Sequence, residues 1–334
     1  MIRRLVKYIQ YSSLGILFLL VSCLKDDLSD CPVPGNSSYI RFVYDYNLAY
    51  EDLFHKQVSN VELYLYDRDG IFIRKLTDEV ANGTFPKDYK IEIPEDIRQD
   101  VYYYIAWAGL HNDHHQATTP IPGTSHMKEL TVKLKPRDNS TVNTIINPLW
   151  YGTLLPNQIK EENASQDNVR TISMIKNTNA FRIILQTLNK EPIDVNQFDF
   201  RLESVNGSYT YQNDVASTET WTYEPFSKKN DPAAGAVAEL HTMRLLDDRV
   251  NRLVIQQKSA NAPLININLN DYLKELNLEL YSHLSLQEYM DREDSFKILI
   301  FIGNNNPTNP GEDEYVAASI DINGWETRIQ QVEY

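Results

Sequence analysis

Three histidines stand within five residues, His111, His114 and His115 in "HNDHH". Imidazoles this close can hold zinc when a helix face or a strand pair converges them and a further ligand joins. Here they follow Gly109 in a polar segment, with no cysteine pair and no second histidine cluster, so a solvated loop is expected and no metal is assigned. "DRDG", Asp67 to Gly70, opens like a calcium loop. That pattern requires Asp or Asn at its fifth place, where Ile71 stands, so a turn is expected instead. No nucleophile elbow, phosphate loop, dinucleotide fingerprint or H-E-x-x-H occurs. Asp and Glu number 46, too many for counting to single out the two carboxylates of a glycosidase. The sequence therefore yields no catalytic residue and no cofactor site, and a non-enzymatic protein is expected.

The cysteines, Cys23 and Cys31, raise a different chemistry. Arg3, Arg4 and Lys7 precede the apolar run Leu14 to Val21, "LGILFLLV", eight residues long. A helix needs about 20 to span a bilayer. A basic head, a short apolar body and a small residue at Ser22 make residues 1–22 a secretory signal peptide. Cys23 follows Leu20-Val21-Ser22 directly, and this resembles the lipobox of bacterial lipoproteins. There the signal is cut before the cysteine, whose sulfur and new amino group take acyl chains such as palmitate. Each buried methylene contributes about 0.8 kcal/mol, so several chains anchor durably where one does not. Lys25, Asp26 and Asp27 resemble the surface-export signal of Bacteroidetes lipoproteins, although a solvated acidic tether has the same composition. Residues 23–37, with Pro32, Pro34 and Gly35, read as that lipidated tether. Cys31 has no partner left in the mature chain, so no disulfide framework is expected.

The whole chain carries a net charge of −14, and loss of residues 1–22 removes three basic residues and no acidic one. Nucleic-acid binding, which rests on neutralising phosphates with Lys and Arg, is therefore excluded. Apolar residues at 42% and charged residues at 23% describe a globular protein. Twenty-one tyrosines against twelve glycines favour strands.

Strand patterns follow one another. In "SYIRFVYDY", Ile40, Phe42 and Tyr44 share one face and Tyr39, Arg41 and Val43 the other. Val61, Leu63 and Leu65 alternate with Glu62, Tyr64 and Tyr66, and Asp69-Gly70 turns the chain into "IFIRKL" as a hairpin. "YKIEI", "DVYYYIAWAG" and "ELTVKLK" continue the series. Asn206-Gly207, between "FDFRLESV" and "SYTYQ", predicts a second hairpin. "FKILIFIG", Phe296 to Gly303, is continuously apolar and predicts a central strand. Short helices are expected at "NDYLKELNLEL" and "SLQEYMDRED", where Ser285 stands three residues before Glu288. The tyrosines and four tryptophans fall mostly in strands, where core packing is their expected use. The expected architecture is all-β. It has a β-sandwich over residues 38–157, a polar linker over 158–169 and a second β-sandwich with a few short helices over 170–334.

Taken in order, Cys23 with "LKDDLSDCP", then "IRFVYDYN", "DLF", "VSNVELYLYDRDG" and "NPLWYG" resemble the anchoring subunits of Bacteroidetes fimbriae, the FimB-like lipoproteins. The likeness is specific from Cys23 to about Gly152 and looser beyond, in strand content and "INGW". It implies two tandem transthyretin-like β-sandwiches and an outer-membrane lipid anchor that faces the cell exterior. It also implies a place at the base of a fimbrial shaft, whose subunit is the expected partner through strand exchange. The one residue it transfers is Cys23. Because "TRIQQVEY" continues strand-like after Gly324-Trp325, the segment Ile320 to Tyr334 is the expected donor. The alternative function is a surface lipoprotein that binds glycans through exposed aromatics.

Overall fold

In the computed structural model the chain is described at residues 37–111, 113–135, 140–156, 168–304 and 315–328. The signal peptide, Cys23, Lys25, Asp26, Asp27 and Cys31 lie outside the described residues, as does most of the expected linker. The strands are β1 (Ser38–Val43), β2 (Asn60–Tyr66), β3 (Phe72–Glu79), β4 (Lys90–Ile93), β5 (Tyr103–Ala108), β6 (His115–Ala117), β7 (Thr131–Leu134), β8 (Thr141–Val142) and β9 (Trp150–Leu154). They continue as β10 (Asn168–Lys176), β11 (Thr178–Thr187), β12 (Phe198–Ser204), β13 (Ser208–Thr210), β14 (Trp221–Tyr223), β15 (Ser227–Asp231), β16 (Gly235–Met243), β17 (Arg252–Gln257) and β18 (Ile265–Asn268). The last are β19 (Ser295–Asn304), β20 (Tyr315–Ile322) and β21 (Trp325–Arg328). Helices are short: α1 (Phe54–Gln57), α2 (Leu269–Leu280) and α3 (Leu286–Arg292).

A seven-stranded sheet, in order β3-β2-β5-β9-β10-β1-β4, dominates the first half. Its strands β2, β5 and β9 are buried on both faces. Val61, Leu63, Leu65, Tyr104, Ala106 and Trp150 enter one core, closed by Phe54, Phe85 and Ile97. The alternate residues Tyr64, Tyr66, Ile105, Trp107 and Tyr151 enter a second core. The tyrosine face of β2, which alternation alone would leave toward solvent, is thus covered by a further layer. That layer is the small sheet β13-β7-β6, through Leu130, Val132, Leu134 and Tyr209.

The second half is built from a six-stranded sheet, β15-β16-β11-β19-β20-β21, and a five-stranded sheet, β18-β17-β12-β14-β8. The apolar run of β19 lies between β11, to which it is parallel, and β20, with Ile298, Ile300 and Ile302 fully buried. α2 is capped by the Asn268 side chain, which accepts from the Asn270 N–H, and buries Leu269, Leu273 and Leu276. α3 starts where Ser285 accepts from the Glu288 N–H. Both caps satisfy backbone donors that the first helical turn leaves unpaired.

Pairing also runs across the expected division of the chain. β10 pairs with β9 in the first sheet, β8 runs parallel to β14 in the five-stranded sheet, and β13 pairs with β7. The larger core accordingly mixes side chains of both halves, Trp107 and Tyr151 with Phe181, Phe200 and Tyr209.

Two local expectations need correction. Asn206-Gly207 makes no hairpin, because β12 pairs with β14 and β17 while β13 crosses to β7. Asn206 is fully buried there; its amide donates to the Met243 and Arg244 carbonyls at 3.0 and 3.1 Å and its oxygen accepts from the Tyr223 hydroxyl at 2.6 Å. Gly207 is required by the Trp221 indole, whose Nε1 lies 2.1 Å from where a Cβ would stand. The turn therefore serves packing. By contrast Asn323 and Gly324 both take positive φ, +52° and +91°, and close the β20–β21 hairpin as a type I′ turn does. The start of "TRIQQVEY" accordingly has a partner: Thr327 pairs with Ile320 and Arg328 with Ser319. Residues 329–334 lie outside the described residues.

Candidate functional site

The β2–β3 hairpin begins the site. The Asp67 carboxylate accepts from the Asp69 and Ile71 N–H groups at 2.9 and 2.8 Å, and Gly70 turns with φ +77°. The carboxylate is thus spent on holding a turn, as the missing fifth calcium ligand implies. The segment after Ile121 straps this hairpin. The Phe72 N–H donates to the Ser125 carbonyl at 2.8 Å, the Gly123 N–H donates to the Phe72 carbonyl at 2.8 Å, and the Met127 N–H reaches the Gly70 carbonyl at 2.7 Å.

Between β3 and β6 lies a cleft of about 550 Å³. Glu62 and Tyr64 of β2 and Lys75 of β3 form its polar floor. Lys75 Nζ donates to Glu62 Oε2 at 3.1 Å and stands 5.6 Å from the centre of the Tyr64 ring, while the Tyr64 hydroxyl donates to the same carboxylate oxygen. Burial and then the Glu62 charge hold the Tyr64 phenol far above its ordinary range, so it stays protonated and donates. Glu62, the single carboxylate lining the cleft among the described residues, is engaged by two donors. Among the described residues no two-carboxylate hydrolytic arrangement lines this cleft.

The opposite wall carries His111 and His115, while His114 turns away from the cleft. The His114 and His115 N–H groups both donate to the His111 carbonyl, at 3.0 and 2.9 Å. This turn sends the three rings to different places. His114 Nδ1 accepts from the Asn147 N–H at 3.0 Å, and His111 Nε2 lies 3.5 Å from Asn60 Nδ2. His115 starts β6, is 1% exposed, and has neither ring nitrogen hydrogen-bonded. Burial, with the neighbouring His114 and His111, lowers its pKa to about 3, so it is neutral. Part of the expected solvated loop is therefore core. Among the described residues no set of three His, Cys, Asp or Glu side chains gathers as a metal site. Thr118, Thr119, Pro120 and Pro122 complete the wall.

A second polar cluster joins the two halves. Arg244, just past β16, makes a two-pronged pair with Asp291 of α3, Nε to Oδ1 at 2.6 Å and Nη2 to Oδ2 at 2.7 Å. On the next residue of the same helix, the Arg292 guanidinium lies over Tyr46 at 4.0 Å and Tyr50 at 4.8 Å. The Leu48 N–H donates to the Arg292 carbonyl at 3.2 Å. No spacing rule links residues some 245 positions apart, so the sequence alone did not reveal this cluster. The Glu62–Lys75 pair was closer to reach, since the Asp69-Gly70 turn sets the register that places Tyr64 opposite Lys75. Three tryptophans, Trp107, Trp150 and Trp221, are buried, as their place in strands predicts.

A family model described as Mfa2, fimbrillin-A associated anchor proteins Mfa1 and Mfa2, matches residues 28–331. The minor fimbrium anchoring subunit Mfa2 of Porphyromonas gingivalis is 24% identical over 325 residues, 94% of this chain and 92% of that protein. A solved structure from Bacteroides thetaiotaomicron, described as a candidate polysaccharide-binding protein, superposes with a TM-score of 0.76 at 30% identity. It covers 88% of this chain and 98% of its own. The solved fimbrial anchor protein Mfa2 of P. gingivalis gives a TM-score of 0.66 at 21% identity, with 87% and 98% covered, and shares the fold.

Proposed function

Since the chain belongs to the family of fimbrillin-A associated anchor proteins Mfa1 and Mfa2, we propose that it is a lipid-anchored fimbrial anchoring subunit. In this reading it holds the base of a shaft on the outer face of the outer membrane. The observation that carries the proposal is the family match over residues 28–331, which begins just downstream of Cys23 and Lys25–Asp27. Residues 1–22 direct export, Cys23 takes the acyl chains, Lys25, Asp26 and Asp27 direct transfer to the surface, and the sheets described above form the mount. In this reading the mount performs no catalysis. It joins the shaft subunit by strand exchange. Ile320 and Ile322 are buried and Thr327 and Arg328 are paired within this chain, so a donated segment is confined to residues 329–334.

Replacing Cys23 by alanine tests the anchor. Labelled palmitate should no longer enter the protein, and fimbriae should move from the cells to the medium. Fimbriae that stay on the cells, carried by an unacylated protein, would overturn the reading. Burial of Trp107, Trp150 and Trp221 leaves the glycan-binding alternative without an indole platform at those positions.

A further inference from the structure

We propose that the outer edge of β3, from Arg74 to Asp78, together with the facing cleft wall at His115 to Pro122, accepts an extended segment of a partner subunit as an eighth strand of the first sheet. This rests on the anchor reading, which makes the partner a protein fibre and so the occupant a polypeptide.

The edge itself is the first argument. β3 ends the seven-stranded sheet, and β2 takes its inner side from Phe72 to Glu79. On its outer side, among the described residues, Phe72 alone is bonded, by Gly123 and Ser125. Glu79 gives its N–H to the Asp78 carboxylate. From Arg74 to Asp78, among the described residues, no backbone bond goes anywhere but to β2. Such an edge is a template for a further strand, and five residues at about 3.3 Å each give roughly 17 Å of it.

The second argument is that the turn at Gly123–Ser125 already draws on this edge, through both the N–H and the carbonyl of Phe72. The strap leaves the edge where the cleft begins. Pro122 and Pro120, which line the cleft, have no N–H with which to carry that pairing on toward Arg74.

Third, the charges that ordinarily guard an edge are tied down within the chain. Lys75 is bound to Glu62, and Arg74 makes a two-pronged pair with Asp96 at 2.7 and 3.3 Å. The wall that alternate side chains of an incoming strand would meet holds Leu110, Ala117 and the neutral His115. The structure therefore assigns a segment with uncharged, largely apolar residues at alternate positions.

The test is hydrogen exchange read by mass spectrometry on the purified protein, with and without the purified shaft subunit of the same fimbrium. Exchange of outward-pointing amides in Arg74–Asp78 should slow at least tenfold in the complex. Thr119→Trp, an exposed position that fills the cleft, should weaken the complex at least tenfold without changing the melting temperature. A complex whose protection falls on β4 or β21 instead, with Thr119→Trp binding normally, overturns the acceptor edge and leaves the anchor reading standing. No complex at all, under conditions where the shaft subunit polymerises, overturns the anchor reading and this inference with it. Protection of the cleft by oligosaccharides but not by the shaft subunit overturns the polypeptide occupant.

Discussion

Breaking the Arg244–Asp291 pair is the sharpest test of how α3 is held against the end of β16. The two side chains are 12% and 5% exposed, and they meet through two charge-assisted bonds of 2.6 and 2.7 Å. Arg244 also donates to the Asn213 carbonyl at 3.2 Å, and Gln287 donates to Asp291 at 2.7 Å. Two unit charges about 4 Å apart attract by about 4 kcal/mol at an effective dielectric of about 20. Removing one partner strands the other in a site that water barely reaches, which costs about 3–5 kcal/mol. Asp291→Asn and Arg244→Met should each therefore lower the unfolding free energy by that amount, measured by urea denaturation with an unchanged slope. Replacing both, by Arg244→Met with Asp291→Leu, removes the stranded charge. The double variant should then be more stable than the sum of the single losses by about 2–4 kcal/mol. Single losses below about 1 kcal/mol, or strict additivity, would refute the claim that this pair is a desolvated strut between α3 and the end of β16.

Other predictions follow from single buried groups. His115 has a folded pKa near 3 against 6.5 for the free side chain, so the unfolded chain binds the extra proton between those values. Stability is whole above about pH 6.5 and falls as pH drops; wild type should lose about 2 kcal/mol more than His115→Leu between pH 8 and pH 5. Glu293 acts with the opposite sign. Burial raises its pKa from 4.5 to about 7, so its stabilising protonated form is present at low pH and lost as pH rises through 7. Glu293→Gln should therefore gain about 2–3 kcal/mol at pH 8 and little at pH 4, read from denaturation midpoints at the two pH values. Gly207→Ala should lose about 1–3 kcal/mol with a shifted Trp221 emission, because its Cβ meets the indole; a stabilised variant would contradict that packing.

The division between local and tertiary information runs through particular residues. The β2–β3 hairpin, the Ser285 cap of α3 and the apolar run of β19 were legible because period-2 alternation, turn chemistry and capping act within a few residues, whereas α2 is capped by Asn268 and not by the expected Asn270-Asp271. The signal-like head and Cys23 are likewise expectations drawn from nearest neighbours, and they lie outside the described residues. The two Asn-Gly pairs mark where that information stops: one closes β20–β21, while the other is pulled into the core by Tyr223, Met243 and Trp221. The parallel pairing of β11 with β19, the entry of β10 into the first sheet and the burial of His115 depend on which surfaces need covering. A strand carries one alternation but has two faces. Only the assembled chain shows whether the tyrosine face of β2 meets water or a second layer, and so where the cleft and its open edge lie.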